Sequence, residues 1–248
     1  MFRKDMEVKM KILALDTSSS VATVAILQDD VIIGEYSCNN VETHSQRLMP
    51  MIQSLLERVG LCATDIDAFS ASIGPGSFTG LRIGVTTVKS MAFAAGKPVI
   101  SVYTLDALAY NLSMSKELIC PIIDARNSRV FTAVYRFING KLERLTDYFG
   151  IHINELVDII RPMEGEIVFL GDACNLHRDY FVLELGERVS IAPPNIALAK
   201  ASSVAVLARN AFLEGKLESC YDMVPFYLRK SQAEREKEMK EKKVIAND

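Results

Sequence analysis

The sequence predicts an α/β protein made of two similar halves, each a mixed sheet flanked by helices. Three observations carry this. Residues 11–16 (KILALD) and 119–124 (ICPIID) are short apolar runs that each end in Asp. Each is followed by a polar turn and by further runs with strand character. Helical periods then alternate with strands, and 248 residues at 49% hydrophobic content supply a core for one large domain or two small ones.

After the first Asp, residues 17–20 form a polar turn. Strands follow at 21–27 and 31–37, separated by Asp29 and Asp30, so the chain opens with an antiparallel meander. Leu48, Met51, Ile52, Leu55, Leu56 and Val59 then fall on one helical face. Thr43 or Ser45 is placed to cap this helix and Gly60 to end it, while Pro50 demands a later start or a kink. Residues 68–73 read as a strand. Residues 78–95 read as a helix, small or apolar almost all round and so buried on more than one side. Gly84 inside it costs roughly 1 kcal/mol against Ala and implies close approach of another element. A strand at 98–102 and a helix at 105–112 follow.

The second half repeats the plan. Strands are expected at 119–124 and 130–137, an Asn139-Gly140 hairpin turn, and a returning strand over 141–149. Helices at 153–160 and about 175–185 alternate with strands at 167–170 and 189–192, and 196–214 is a helix that stops before Gly215. Residues 231–243 carry mixed charge, with Glu236–Lys240 and Glu238–Lys242 at i, i+4, as in a solvated helix or tail. The expected organisation is a first lobe over 10–104, completed by the returning segment 196–230, and a second lobe over 105–195. Residues 1–9 and 231–248 read as flexible extensions.

Composition narrows the function. The net charge of −3 argues against autonomous, non-specific nucleic-acid binding, which rests on a basic surface. Five separated cysteines without a C-x-x-C fit a reducing compartment. No secretory leader and no uncharged run of membrane-spanning length is present, so a cytoplasmic location is expected.

The densest motif is SIGPGSFTGLRIG (72–84), with Gly74, Pro75, Gly76 and Gly80 between a strand and a helix. In an α/β protein, that is where a ligand or partner site tends to sit. Catalytic readings of the loop fail on spacing. Gly74, Gly76 and Gly80 give G-x-G-x-x-x-G rather than the dinucleotide fingerprint, and Leu81 and Arg82 follow Gly80 where a P-loop needs Lys. Ser77 directly follows Gly76, off by one from a hydrolase elbow. The plain alternative is a tight turn with Ser77 or Thr79 capping the next helix.

Two halves that each open with a strand ending in Asp follow the plan of the duplicated actin-like (ASKHA, ribonuclease H-like) fold, shared by actin, hexokinase and Hsp70. In that class the Asp turns hold phosphate and metal across a cleft. Taken together, ALDTSSS (14–20), ETHSQRLMP (42–50), SIGPGSFTGLRIG (72–84) and FYLRKSQAE (226–234) resemble the TsaB family, also called YeaZ. The resemblance implies a non-catalytic subunit of the tRNA N6-threonylcarbamoyladenosine machinery. Such a subunit is a paralogue of the catalytic TsaD and pairs with it, while a P-loop ATPase, TsaE, joins the complex. It implies that tRNA is met only through the complex, and that ATP and a metal ion belong to the partner subunits.

The residues agree with a degenerate site. TsaD-type proteins carry an H-x-x-x-H metal pair where this chain reads VYTLDAL (102–108), with Asp106 alone as a ligand. His44 and His152 are never within one helical turn of another His or Cys, and His177 has only Cys174 at that spacing, too few ligands for a site, so no metal site is expected. The turn Asp16, Thr17, Ser18 is read as a vestigial phosphate turn, with a plain hydrogen-bonded turn as the alternative. Its counterpart at Asp124 lacks glycine, and Asp172 would place negative charge beside a nucleotide, so weak or absent ATP binding is expected. The resemblance places the partner interface on the two helices of the first lobe, through His44, Arg47, Leu48, Met51, Ile52, Leu55, Phe78, Leu81, Arg82 and Val85. Apolar helix faces usually serve the core, and that reading stands beside it. A homodimer on the same surface is expected when no partner is present. The competing functions are a glycoprotease-like peptidase and a phosphotransferase using Asp16 and Asp124.

Overall fold

The computed structural model describes residues 9–40 and 43–229. The expected extension 1–9, all but its last residue, and the charged run 231–243 lie outside the described residues, as does the end of the FYLRKSQAE motif.

The first sheet has the order β3-β2-β1-β4-β5. It is built from β1 (Lys11–Asp16), β2 (Ala22–Gln28), β3 (Val31–Cys38), β4 (Ala68–Gly74) and β5 (Val99–Tyr103). The meander β1–β2–β3 is antiparallel, and β4 and β5 extend it in parallel. KILALD is continuously apolar because both faces of β1 are covered. Leu13 and Leu15 pack with helices α1 (His44–Val59) and α2 (Phe78–Ala95), whereas Ile12 and Ala14 pack with α6 (Ala201–Leu213). The returning C-terminal helix therefore closes the far face of the first sheet.

The second sheet has the order β10-β7-β6-β11-β12, with the hairpin β8–β9 joined to β6. Its strands are β6 (Leu118–Asp124), β7 (Arg129–Thr132), β8 (Tyr135–Ile138), β9 (Lys141–Arg144), β10 (Phe149–His152), β11 (Ile167–Leu170) and β12 (Val189–Ile191). β6 alternates as β1 does. Leu118, Cys120 and Ile122 face α4 (Ile153–Ile160) and α5 (Cys174–Leu185), while Ile119 and Ile123 face α3 (Thr104–Tyr110). The duplicated actin-like plan is thus present as two mixed sheets with helices on both sides.

Four expectations on elements change. The strand expected over 130–137 divides into β7 and β8, because Val134 leaves the ladder and its N–H donates to Thr146 Oγ1 at 3.0 Å. The return over 141–149 divides as well: β9 pairs with β8, and β10 pairs with β7. The helix expected from 196 starts at Ala201, since the N–H groups of Ile196 and Ala197 bond the Pro193 carbonyl and hold a turn. Pro50 neither delays nor ends α1, which begins at His44 on a reciprocal Thr43–Gln46 capping box and stops at Gly60 in the left-handed conformation.

The small residues of α2 have a steric reason. The turn after β1 lies against the first turns of this helix. A Cβ at Gly80 would overlap the carbonyl oxygen of Thr17, and one at Gly84 would overlap its hydroxyl. Thr17 Oγ1 instead donates to the Gly80 carbonyl at 2.8 Å. Gly84→Ala therefore forces the β1 turn away from α2. The expected result in urea denaturation is a loss of about 1–3 kcal/mol, despite the better helix propensity of Ala.

Candidate functional site

Between the lobes lies a cleft of about 660 Å³. The first lobe contributes Ser18, Ser19, Ser20, His44 and the start of α2 (Ser77, Phe78, Thr79), and the second contributes Asp124, Arg126, Phe131 and Asp172. Both Asp turns reach it, as duplication requires. Three of their backbone donors are taken by carboxylates of the chain itself. Asp16 is fully buried, and its Oδ1 accepts from the N–H of Ser18 at 2.8 Å and from the Ser18 hydroxyl at 2.7 Å. Asp124 Oδ1 accepts from the N–H of Arg126 at 2.7 Å. Asp172 Oδ1 accepts from the N–H of Asp124 at 2.9 Å. Burial raises the pKa of Asp172, the bond from Asp124 N–H opposes that, and the neighbouring Asp124 charge adds to it. Those three N–H groups are therefore engaged within the chain, while Arg126 and Arg229 bring guanidinium groups to the same cleft.

The loop after β6 is strained. Arg126, Asn127 and Ser128 all have positive φ (62°, 55° and 55°), at a cost of about 1–2 kcal/mol per residue for side chains with a Cβ. The Ala125 N–H to Arg129 carbonyl bond and the Ile153 N–H to Ser128 carbonyl bond hold it. This conformation presents Arg126 to the cleft.

His44 closes the cleft on the first-lobe side. Its Nε2 lies 2.8 Å from the Ser19 carbonyl and its Nδ1 lies 3.0 Å from Arg47 Nη2. Both contacts are satisfied by the neutral ring that donates from Nε2 and accepts at Nδ1. Arg47 continues the network, with Nη2 donating to the Ser20 carbonyl at 2.6 Å and Nη1 to Asn40 Oδ1 at 2.7 Å. Burial lowers the pKa of His44. The Ser19 carbonyl raises it, the Arg47 guanidinium lowers it further, and Asp16 raises it.

A second concavity lies on the outer face of α2. It is a groove of about 520 Å³ between Arg82, Val85, Thr86, Lys89, Ser90 and Phe93 and the C-terminal segment from Cys220 to Tyr227. Phe93 is 66% exposed, Tyr221 72% and Val224 62%, so large apolar groups meet solvent together here. Tyr227 stacks on Phe78 at 3.9 Å, and Arg82 lies over the Phe78 ring with Cζ 4.8 Å from its centroid.

The expected interface residues divide. Leu48, Ile52, Leu55, Leu81 and Val85 are at most 3% exposed, and Arg47 is 6% exposed. They face inward because the apolar stripe of each helix is what covers the first sheet, and only Val85 also borders the groove. Met51 is half-buried against the core. His44 and Phe78 border the cleft, and Arg82 is exposed at the groove. Phe93, Tyr221, Val224 and Tyr227 went unsingled in the sequence. The signal for Phe93 was an aromatic on an otherwise small-residue helix, and that for Tyr227 was its place in the FYLRKSQAE motif. Gly74, Pro75 and Gly76 turn the chain from β4 into α2, and the Ser77 N–H donates to the Ser18 carbonyl at 2.7 Å. Ser77, not Thr79, caps α2, accepting from the Gly80 N–H at 3.2 Å.

Asp106 has a different role from that of a ligand. Its Oδ1 accepts from the hydroxyls of Tyr135 at 2.7 Å and Tyr148 at 2.8 Å. Burial raises its pKa while the two phenols lower it. Among the described residues, no group of three His, Cys, Asp or Glu is placed to hold a metal ion.

The family model described as "TsaD: tRNA N6-adenosine threonylcarbamoyltransferase" matches residues 38–237. A Bacillus subtilis (strain 168) protein named tRNA threonylcarbamoyladenosine biosynthesis protein TsaB is 33% identical over 225 residues, covering 91% of this chain and 96% of its own. The chain belongs to the TsaB (YeaZ) family. An Escherichia coli (strain K12) TsaB is 30% identical over 90% of this chain and 96% of its own. Among solved structures, YeaZ from Pseudomonas aeruginosa superimposes with a TM-score of 0.71 at 26% identity, over 88% of this chain and all of that one. The family match thus spans both lobes and the cleft between them. Among the described residues, no helix is long and apolar enough to cross a membrane.

The His44 environment sets a pH dependence. The folded chain holds His44 below its ordinary value of 6.5, so the unfolded chain takes up the proton first as pH falls. The contribution is complete above that value and is lost as pH drops toward the folded pKa. Burial lowers His177 as well and acts in the same direction. The urea midpoint should fall between about pH 7.5 and pH 5.5. His44→Gln, which still donates to Ser19 and accepts from Arg47, should make that fall smaller.

Proposed function

We propose that this chain is a non-catalytic accessory subunit in tRNA N6-threonylcarbamoyladenosine formation. It pairs with the catalytic paralogue TsaD and works with the ATPase TsaE. The observation that supports this most directly is the contrast between its two concavities. In the cleft, three backbone donors of the Asp turns are engaged by the chain's own carboxylates, whereas the groove on α2 is apolar and lined by aromatic side chains and Arg82, the composition of protein-binding hot spots.

TsaD is the occupant the groove favours. The family model that matches this chain is the transferase's own, and the matched residues include all of α2 and the C-terminal segment. Two related subunits pair readily through like faces about a pseudo-two-fold axis. A second copy of this chain takes the same place when TsaD is absent. On this reading the chain carries no cofactor of its own. ATP and the metal ion belong to the partner subunits, and tRNA is reached through the complex. A peptidase or phosphotransferase would need an activated nucleophile, a metal water or open phosphate donors.

Reconstitution tests the role. TsaD, TsaE, the adenylate-forming enzyme, ATP, threonine, bicarbonate and unmodified tRNA are combined with and without this chain. Multiple-turnover product should require the chain and should survive Asp16→Asn and Asp124→Ala. Loss of product with either variant in an intact complex would assign the chain a chemical role. The surface is tested separately by Phe93→Glu, which should weaken co-elution with TsaD by about 100-fold or more. Its unfolding free energy should change by less than about 0.5 kcal/mol. Leu48→Glu, by contrast, buries a charge and should cost about 3 kcal/mol or more.

A further inference from the structure

The groove and the cleft are separated by two aromatic rings. Phe78 lines the cleft and Tyr227 lines the groove, and the two rings stack at 3.9 Å with an interplanar angle of 8°. Tyr227 also accepts a hydrogen bond from Arg82 Nε at 3.1 Å, so its position is read by a side chain that forms part of the groove.

Tyr227 belongs to a strap that runs along the first lobe and ends on the second. Glu218 makes an antiparallel bridge with Val99 at the free edge of β5, and its carboxylate accepts from the N–H and hydroxyl of Ser101 at 3.0 and 2.9 Å. Lys89 on α2 donates to the carbonyl of Met223 at 2.8 Å, and Met223 is buried in the first lobe. The Phe226 N–H donates to the Ile73 carbonyl at 2.7 Å. Two residues beyond Tyr227, Arg229 Nη1 donates to the Ala125 carbonyl at 3.0 Å. That carbonyl belongs to the loop whose next three residues all hold positive φ. A loop in that conformation persists only while its surroundings fix it, and the strap supplies one of the fixing bonds.

We infer that the Phe78–Tyr227 stack couples the α2 groove to the inter-lobe cleft. Occupation of the groove holds Tyr227 on Phe78, seats Arg229 on Ala125, and fixes loop 125–129 in the shape that presents Arg126 to the cleft. The identity of the groove's occupant rests on the reading above that TsaD docks there. The coupling itself rests on the strap.

Hydrogen exchange with mass spectrometry on the full chain tests it. In the isolated chain, Tyr227→Ala should speed exchange at residues 125–129 by about tenfold, as expected when one net hydrogen bond leaves a local opening equilibrium. The hairpin at 135–144 should not change. Tyr227→Phe, which keeps the stack and loses only the Arg82 bond, should leave 125–129 near wild type. If Tyr227→Ala does not fold, Phe78→Leu removes the stack from the other side and should give the same pattern. Unchanged exchange at 125–129 in a folded stack variant overturns the coupling. Adding TsaD to the wild-type chain should then protect 125–129 as well as the groove, and this transfer should vanish in the stack variant. A complex that protects the groove and leaves 125–129 unaltered also overturns the coupling. A chain with the expected exchange pattern alone that forms no complex with TsaD keeps the coupling and removes the docking reading.

Discussion

Thr17 donates to the Gly80 carbonyl at 2.8 Å, and the Ser77 N–H donates to the Ser18 carbonyl at 2.7 Å. These two bonds seat the turn after the central strand on the first turns of α2, with no space for a Cβ between them. The rest of the first lobe follows from that contact. It fixes where α2 leaves the sheet, which side chains of the helix enter the core and which remain outside. It also fixes the first-lobe wall of the cleft, since Ser18, Ser77 and Phe78 belong to the two segments it joins. The price is a helix start that tolerates only glycine at two positions one turn apart.

In the cleft the two Asp turns satisfy part of their own backbone. In each lobe an Asp at the end of the leading strand bonds an N–H two residues on. Asp172 takes the N–H of Asp124 as well. These internal carboxylates hold both turns in a fixed conformation.

Much of the architecture was legible because it rests on local rules. KILALD and ICPIID read as buried strands through continuous apolarity, and the 48–59 stripe read as a helix through its period. Gly60, Gly96 and the Asn139-Gly140 turn sit at positive φ, where such residues belong. Boundaries failed where a single bond outside the regular ladders decides them. The Thr146 hydroxyl ends a strand at Val134, and the Pro193 carbonyl delays α6. The candidate surface was half legible. Of the two helices the resemblance pointed to, only α2 borders the groove, and Leu48, Ile52, Leu55 and Leu81 lie on the faces that the helices bury. The exposed groove depends on residues 220–227 returning over α2 from more than 120 positions away. No pattern within α2 announces that.

The first lobe is closed by α6, which comes from the far end of the sequence, whereas the second lobe draws its strands from one unbroken stretch. During synthesis, which delivers the chain from its N-terminus, Ile12, Ala14, Ala68 and Ile100 must wait for Val204, Ala205 and Ala208. The lobe that begins first therefore finishes last, and for most of translation one face of its sheet has only Ala107 of α3 as cover. A ribosome stalled with β12 emerged and α6 still in its exit tunnel would display a completed second lobe tethered to an incomplete first one.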